Sequence, residues 1–177
     1  MIVDKPYLHW ISVLPSGTDF PLAYKGHLLT KDEYLEYWGK WIIMGDRDYL
    51  DSLAHQLDPF VESRQIQSIK YTREPEVELG MDTGAMLVFC DERERDEVWG
   101  ILESVGITLK AWFYDRQTIE MWQPGAPLIE AWLESQGITG KEADEIREKT
   151  KKRYDRWLEN IGEDGKQQGS PWTFELM

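Results

Sequence analysis

Apolar residues follow two rhythms along this chain, a period of two and a period near 3.6, and the switches between them mark out the elements. The stretch "YLHWISVL" at 7–14 is aromatic and β-branched, so it predicts a first strand, closed by the turn residues Pro15, Ser16 and Gly17. Thr30 and Glu33 have the spacing of a capping box, in which each side chain takes a backbone N–H of the other's end of the turn. A short helix is expected from about 31 to Trp38, with Gly39 as its left-handed stop. After it, "KWIIM" at 40–44 predicts a strand central in its sheet.

Asp46 is placed to cap a helix whose apolar positions, Tyr49, Leu50, Leu53, Ala54 and Leu57, recur at helical spacing up to Pro59. The run "IQSIKYT" at 66–72 predicts a strand, "REPEVELGMDTG" a loop, and "AMLVFC" at 85–90 a second buried strand. Asp91 and Glu94 cap a further helix with Val98, Trp99, Leu102 and Val105 as its buried stripe and Gly106 as its end. Aromatic and β-branched content makes "LKAWFYD" (109–115) and "TIEMW" (118–122) two strands or one bent hairpin. Beyond them a helix runs over 127–136, from Pro127 to the stop Gly137. Thr139 and Glu142 cap a longer one to about Ile161, with Ala143, Ile146, Tyr154, Trp157, Leu158 and Ile161 as its apolar stripe.

The middle of the chain repeats itself. "WIIMGDRDYLDSLAHQL" followed by "IQSIKY" has the same order of strand, acidic cap, helix and strand as "MLVFCDERERDEVWGIL" followed by "LKAWFY". Two such β-α-β units predict an α+β fold, an antiparallel or mixed sheet with helices mainly on one face, followed by C-terminal helices. A chain of 177 residues suffices for one core. We expect a single domain over 1–162, its long helix at 139–162, and a tail at 163–177 in which Trp172 and Phe174 dock or join an interface.

Charge and cysteine content narrow the setting. Twenty basic against 33 acidic residues give a net charge of −13, which disfavours nonspecific binding to polyphosphate backbones. The positions 74–97 carry seven of the excess negative charges, with Glu74, Glu76, Glu78, Asp82, Asp91, Glu92, Glu94, Asp96 and Glu97 set against Arg93 and Arg95. This reads as a solvated loop leading into a helix N-terminus, with a cationic partner as the alternative. The single cysteine, Cys90, has no partner within the chain, and no run approaches the ~20 apolar residues of a spanning helix. With no signal-peptide pattern at the start, the expected location is the cytoplasm.

The segments "GKWIIMGDRDYLDSLAHQL" and "AMLVFCDERERDEVWGILESVGI", with the strands that follow them, resemble a family named after a basophilic-leukaemia-expressed protein. The likeness spans about 40–115 and rests on the Gly-Lys-Trp strand and the Gly-Ile helix end. It implies a fold like that of the mRNA-cap-binding initiation factor, with a ferredoxin-like arrangement as the alternative. The cap binder holds a methylated base between two tryptophans and answers its charge with an acid; no motif here fixes which pair would serve. The resemblance brings no catalytic residues.

No catalytic constellation assembles from sequence alone. Asp82-Thr83-Gly84 matches the aspartic-protease triplet but occurs once, whereas that chemistry needs two aspartates sharing a proton. Cys90 stands where a strand meets a helix start, yet Asp91, Glu92 and Glu94 oppose a thiolate there. His9, His27 and His55 are scattered and show no metal-ligand spacing. On the last helix, Glu145–Lys149, Glu148–Lys152 and Lys151–Asp155 are spaced as i,i+4 salt bridges of a solvated face.

Nine tryptophans remain, and strand alternation is expected to leave some of them on the sheet face that the helices do not cover, the alternative being that the C-terminal helices cover that second face. The expected function is a non-enzymatic domain binding a small ligand, nucleotide-like in kind, or a protein partner through an aromatic face or groove. Its candidate residues are Trp10, Trp38, Trp41, Trp112, Trp122, Lys40 and Glu120, with no cofactor or metal. Two alternatives stay open. One is a hydrolase or lyase assembled only in the fold, with His9, His27, Asp82 or Glu120 as acid-base groups; the other is a homodimer or scaffold built on the C-terminal helices and tail.

Overall fold

The two strand-helix-strand units interleave. In the computed structural model, residues 1–17 and 22–160 are described, without the side chains of Trp157 and Asn160. The elements are β1 (Ile2–Val3), β2 (Trp10–Val13), β3 (Ala23–Tyr24), β4 (His27–Leu28), α1 (Lys31–Tyr37), β5 (Trp38–Gly45), α2 (Arg47–Glu62) and β6 (Ser68–Thr72). They continue as β7 (Gly84–Asp91), α3 (Arg95–Ser104), β8 (Trp112–Tyr114), α4 (Asp115–Met121), α5 (Pro127–Ser135) and α6 (Gly140–Asn160). The main sheet has the order β1-β2-β6-β7-β5-β8 and its described pairings are antiparallel, while β3 and β4 form a small hairpin. In the unit β5-α2-β6 the two strands are parted by β7, and in β7-α3-β8 they are parted by β5. Each unit thus needs a strand of the other to complete its hydrogen bonds, which is the split, ferredoxin-like order, here extended by β2 and β1 beyond β6.

Period-two alternation gives this sheet two different faces. Ile11, Val13, Ile69, Tyr71, Met86 and Val88 point to the side covered by α2 and α3 and form the main core with Leu50, Leu53, Leu57, Val98 and Leu102. On the other side α1 and α4 close over Trp38 and Phe89, with Leu29, Tyr34 and Ile119 filling the space between. A third cluster, Ile129, Trp132, Leu133 and Ala143, joins α5 to α6 and takes in Leu79 from the connection between β6 and β7. No helix among the described residues is long and apolar enough to cross a membrane.

Local chemistry sets most of the boundaries. Both halves of the Thr30–Glu33 capping box form, and Asp46 accepts the N–H of Tyr49 at 2.8 Å at the start of α2. Gly106 and Gly137 take positive φ where their helices stop. Three expectations are corrected. Gly39 is not a left-handed stop but a residue of β5; a Cβ there would lie 2.4 Å from Trp112 Cζ2 and 2.8 Å from the carbonyl oxygen of Phe113. Glycine is needed for close approach, not for φ. α2 runs past Pro59 to Glu62, because Pro59 sits on its exposed side and Val61 beyond it is fully buried. The expected second strand near 118–122 falls in α4, whose start is held by Gln117 Oε1 accepting the N–H of Tyr114 at 2.9 Å. Of the long-helix stripe, the Trp157 side chain and Ile161 lie outside the described residues, as do Trp172, Phe174 and the whole 163–177 tail.

The contrast between two glycines tests the packing at β5. Gly39→Ala is expected to lose about 1–3 kcal/mol in chemical denaturation, since neither the Trp112 ring nor the Phe113 backbone can yield freely. Gly100→Ala, in the middle of α3 with open space around it, is expected to gain about 0.5–1 kcal/mol.

Candidate functional site

The strand β6 reads Ser-Ile-Lys-Tyr-Thr, and its alternation sends Ile69 and Tyr71 into the main core. Ser68, Lys70 and Thr72 therefore share the second face. An antiparallel strand patterned in this way ordinarily gives its polar side to water. Here Ser68 and Thr72 are 0% and 2% exposed, and Lys70 is half-buried. Thr72 Oγ1 accepts the N–H of Ala85 at 3.0 Å, whereas the Ser68 hydroxyl has no hydrogen-bond partner among the described residues. Enclosing such a hydroxyl without a partner costs about 1–3 kcal/mol.

Register places the neighbours. Lys70 stands between Ser12 on β2 and Leu87 on β7, and Leu87 faces Ile42 on β5, so these four half-buried side chains make one row across the second face. In the next row Phe89 lies between Ser68 and Lys40.

Lys40 is 3% exposed. Its ammonium donates to Asp115 Oδ1 at 2.5 Å and lies 5.7 Å from the centre of the Phe89 ring. The other oxygen of Asp115 accepts the Tyr34 hydroxyl proton. Three elements thus converge on one carboxylate: β5 through Lys40, α1 through Tyr34, and α4 through Asp115 itself. Burial pushes the Tyr34 hydroxyl well above its ordinary pKa, and the Asp115 charge adds to the effect. Burial also works to raise Asp115, but the Lys40 charge, hydrogen bonds from Lys40 and Tyr34, and the Lys70 charge outweigh it and hold the carboxyl below its usual range. Lys70 is lowered, by burial first and then by the like charge of Lys40, against the attraction of Asp115. Titratable groups perturbed in this way cluster at functional sites.

The expected aromatic face is not assembled, and its residues are distributed as follows. Trp38 is 1% exposed and stacks along Phe89, with ring centroids 6.4 Å apart, beneath α1 and α4. Trp41 and Trp112 point to the opposite face and pack in the main core, Trp41 lying 4.9 Å from Trp99 and 5.3 Å from Trp112. Trp122 is half-buried against the α5–α6 cluster, and Glu120 is exposed on α4. Trp38 and Trp41 are three positions apart on one strand, so they had to fall on different faces. Only Trp10, half-buried and edge-on to His9, and Lys40 belong to the polar region of the second face.

The expected acid-base groups have other partners. His9 pairs with Glu76 at 3.0 Å and His27 with Glu33 at 3.4 Å, while Asp82 is exposed in the β6–β7 connection. Cys90 is buried and its thiol is pushed well above the ordinary value by burial, then by Glu94 and Asp91. Along α6, Glu148–Lys152 and Lys151–Asp155 form at 2.7 and 3.0 Å, and Glu145 meets Lys141 at 3.8 Å. Among the described residues no three His, Cys, Asp or Glu side chains gather as metal ligands. Sequence reasoning missed Tyr34, Ser68, Lys70 and Asp115 as site residues; the one local signal was the polar side of "SIKYT". What fold and cluster define is an α+β protein with a buried Lys-Asp-Tyr group on the second face of a split β-α-β sheet. Comparison with known proteins finds no matching family model, no matching curated protein and no matching solved structure.

Removing one partner of the ion pair leaves the other buried and uncompensated. Asp115→Ala is expected to cost about 3–5 kcal/mol, and the double replacement Lys40→Met with Asp115→Leu distinctly less, as read by denaturant titration. The pH dependence follows from the depressed carboxyl. Its contribution is complete above the unfolded value near 3.9 and is lost as pH falls through the lower folded value, so Asp115→Asn should flatten the acid limb of stability below about pH 4.

Proposed function

We propose that this chain is a binding domain for a small, planar, anionic ligand of nucleotide-like chemistry, taken up on the second face of the sheet beside Lys70 and Trp10. The carrying observation is Lys70. Its ammonium belongs to a half-buried row, where burial and the like charge of Lys40 disfavour the charge against the attraction of Asp115, and an arriving anion adds to that attraction. Ser12 lies directly across from Lys70, so Trp10, two residues earlier on the same side of β2, is its diagonal neighbour at about 7–8 Å between backbones. A ring laid against the Trp10 indole brings an attached anionic group within reach of the lysine.

The likeness to the cap-binding fold stays part of this reading in a reduced form. A base held between two indoles needs them face to face, and Trp41 and Trp112 cross edge-on at 66° within the core. One indole and a cation support the proposal better than an aromatic sandwich does. The proposed location is the cytoplasm, where a buried, unpaired Cys90 is unremarkable.

A second reading draws on the same convergence of groups. A hydrolase or lyase assembled in the fold would use Lys70, Tyr34 and Asp115 in place of His9, His27, Asp82 and Glu120, since a base must stand within about 3 Å of its proton or one water away. Turnover of a bound ligand, abolished in Lys70→Met, would favour it.

Tryptophan fluorescence tests the first reading. Nucleotides, methylated nucleotides and cationic peptides are titrated into the full chain. Nucleotides are expected to quench, Trp10→Phe to remove most of the quenching, and Lys70→Met to weaken binding at least tenfold. Absence of binding by every nucleotide, or binding untouched by Lys70→Met, overturns the proposal.

A further inference from the structure

We infer that the anionic end of this ligand is seated as an oxyanion between the Ser68 hydroxyl and the Lys70 ammonium, on the polar side of β6. The inference rests on the binding reading above and adds to it where the charge is held and by which groups. Ser68 carries it. Its side chain is fully enclosed, its hydroxyl has no hydrogen-bond partner among the described residues, and buried hydroxyls in folded proteins are overwhelmingly partnered. Alanine or valine at this point of the strand would avoid the cost of desolvating a hydroxyl. The indole N–H groups of Trp41 and Trp112 also lack a partner among the described residues, but they lie on the core face. Ser68 instead shares the polar face with Lys70, and that combination points to an acceptor that arrives from outside the chain.

The surroundings define that acceptor. Ser68 and Lys70 are two residues apart on one face of one strand, about 6.6–6.8 Å along it, and a lysine side chain is long enough to fold back over that distance. Phe89, buried opposite Ser68, forms an apolar wall on the β7 side, which strengthens a hydrogen bond to an anion. Ser68 is enclosed by its neighbours, so on this inference the side chains around it, Lys70 among them, rearrange to seat the oxyanion. Lys40 and Asp115 stay as they are, bound to each other and to Tyr34, as a compensated pair that leaves Lys70 as the cation for the anion. Phosphate and carboxylate share the chemistry that two such donors recognise.

Calorimetric titration of the full chain with a nucleotide, with inorganic phosphate, and separately with acetate, tests the site in wild type, Ser68→Ala, Ser68→Cys and Lys70→Met. Ser68→Ala is expected to weaken the bound anion at least tenfold while leaving the thermal midpoint unchanged or higher, because a buried, partnerless hydroxyl is removed. Ser68→Cys, a weaker donor of similar size, should fall between. Binding of phosphate identifies a phosphate ester as the source and binding of acetate a carboxylate, provided that each depends on Ser68. If Ser68→Ala binds nucleotide and anion as wild type does, the hydroxyl serves a buried water and this inference fails while the binding reading stands. If wild type binds neither, both fail.

Discussion

The contact between Lys40 and Asp115 decides how the second face of the sheet is closed. A buried ion pair is not in itself a strong source of stability, since desolvating both charges offsets most of their attraction. Its effect is geometric. Lys40 is fixed on β5 between Trp38 and Ile42, and Asp115 is the residue at which β8 gives way to α4. The chain reaches that point in register because Gly39 has no side chain and lets Trp112 close in, so that Phe113 pairs opposite Lys40 and Asp115 follows two residues on. Tyr34 then ties α1 to the same carboxylate. The helices that cover Trp38 and Phe89 are positioned from one polar point in an otherwise apolar layer.

What could be read in the sequence was what depends on neighbours in the chain. The Thr30–Glu33 box, the Asp46 cap, Pro127 at the start of α5 and the glycine stops at 106 and 137 are local devices, and each acts as its residue type dictates. The duplicated units were legible too, and so was the α+β class. Their interleaving was not, because nothing within "WIIMGDRDYLDSLAHQL" states that its strand will pair with that of the other unit. α4 shows the limit of propensity. "TIEMW" is rich in strand-forming side chains, but a glutamine cap at Tyr114 and burial of Ile119 make the segment helical.

The site was legible to a smaller degree, and for a physical reason. Lys40 was singled out as part of a Gly-Lys-Trp strand, but the groups that give it meaning are Asp115, 75 residues away, and Tyr34, which meets Asp115 across 81 residues. The tryptophans misled because alternation assigns faces only relative to one another. Which face the helices take is settled by α2 and α3, and that choice sends Trp41 and Trp112 inward. In β6 the polar side was plain in the sequence, yet such a pattern ordinarily announces exposure. Only the structure shows Ser68 and Thr72 enclosed, and the departure from the ordinary meaning of the pattern is what marks the region.

The acidic excess bears on the proposed ligand as well. Part of the 74–97 segment is structural: Asp91, fully buried, takes two hydrogen bonds of 2.8 Å from Arg93, whose guanidinium stacks 3.8 Å from Tyr24 and 4.3 Å from Tyr37. Glu76 holds His9, and Glu92 accepts the Tyr114 hydroxyl at 2.6 Å. The rest of the segment, with Glu74, Glu78, Asp82, Asp96 and Glu97 exposed, contributes to a negative outer field. An anion approaching this protein is repelled at long range, over roughly 8 Å at physiological salt, and on the proposed reading is attracted only at contact. The two effects act on different quantities. The outer field slows encounter and is weakened by salt, while on the proposed reading the hold at Lys70 acts within a half-buried row and is screened less. For the proposed ligand, discrimination therefore has to come from the fit of donors and ring at short range, where net charge has little say.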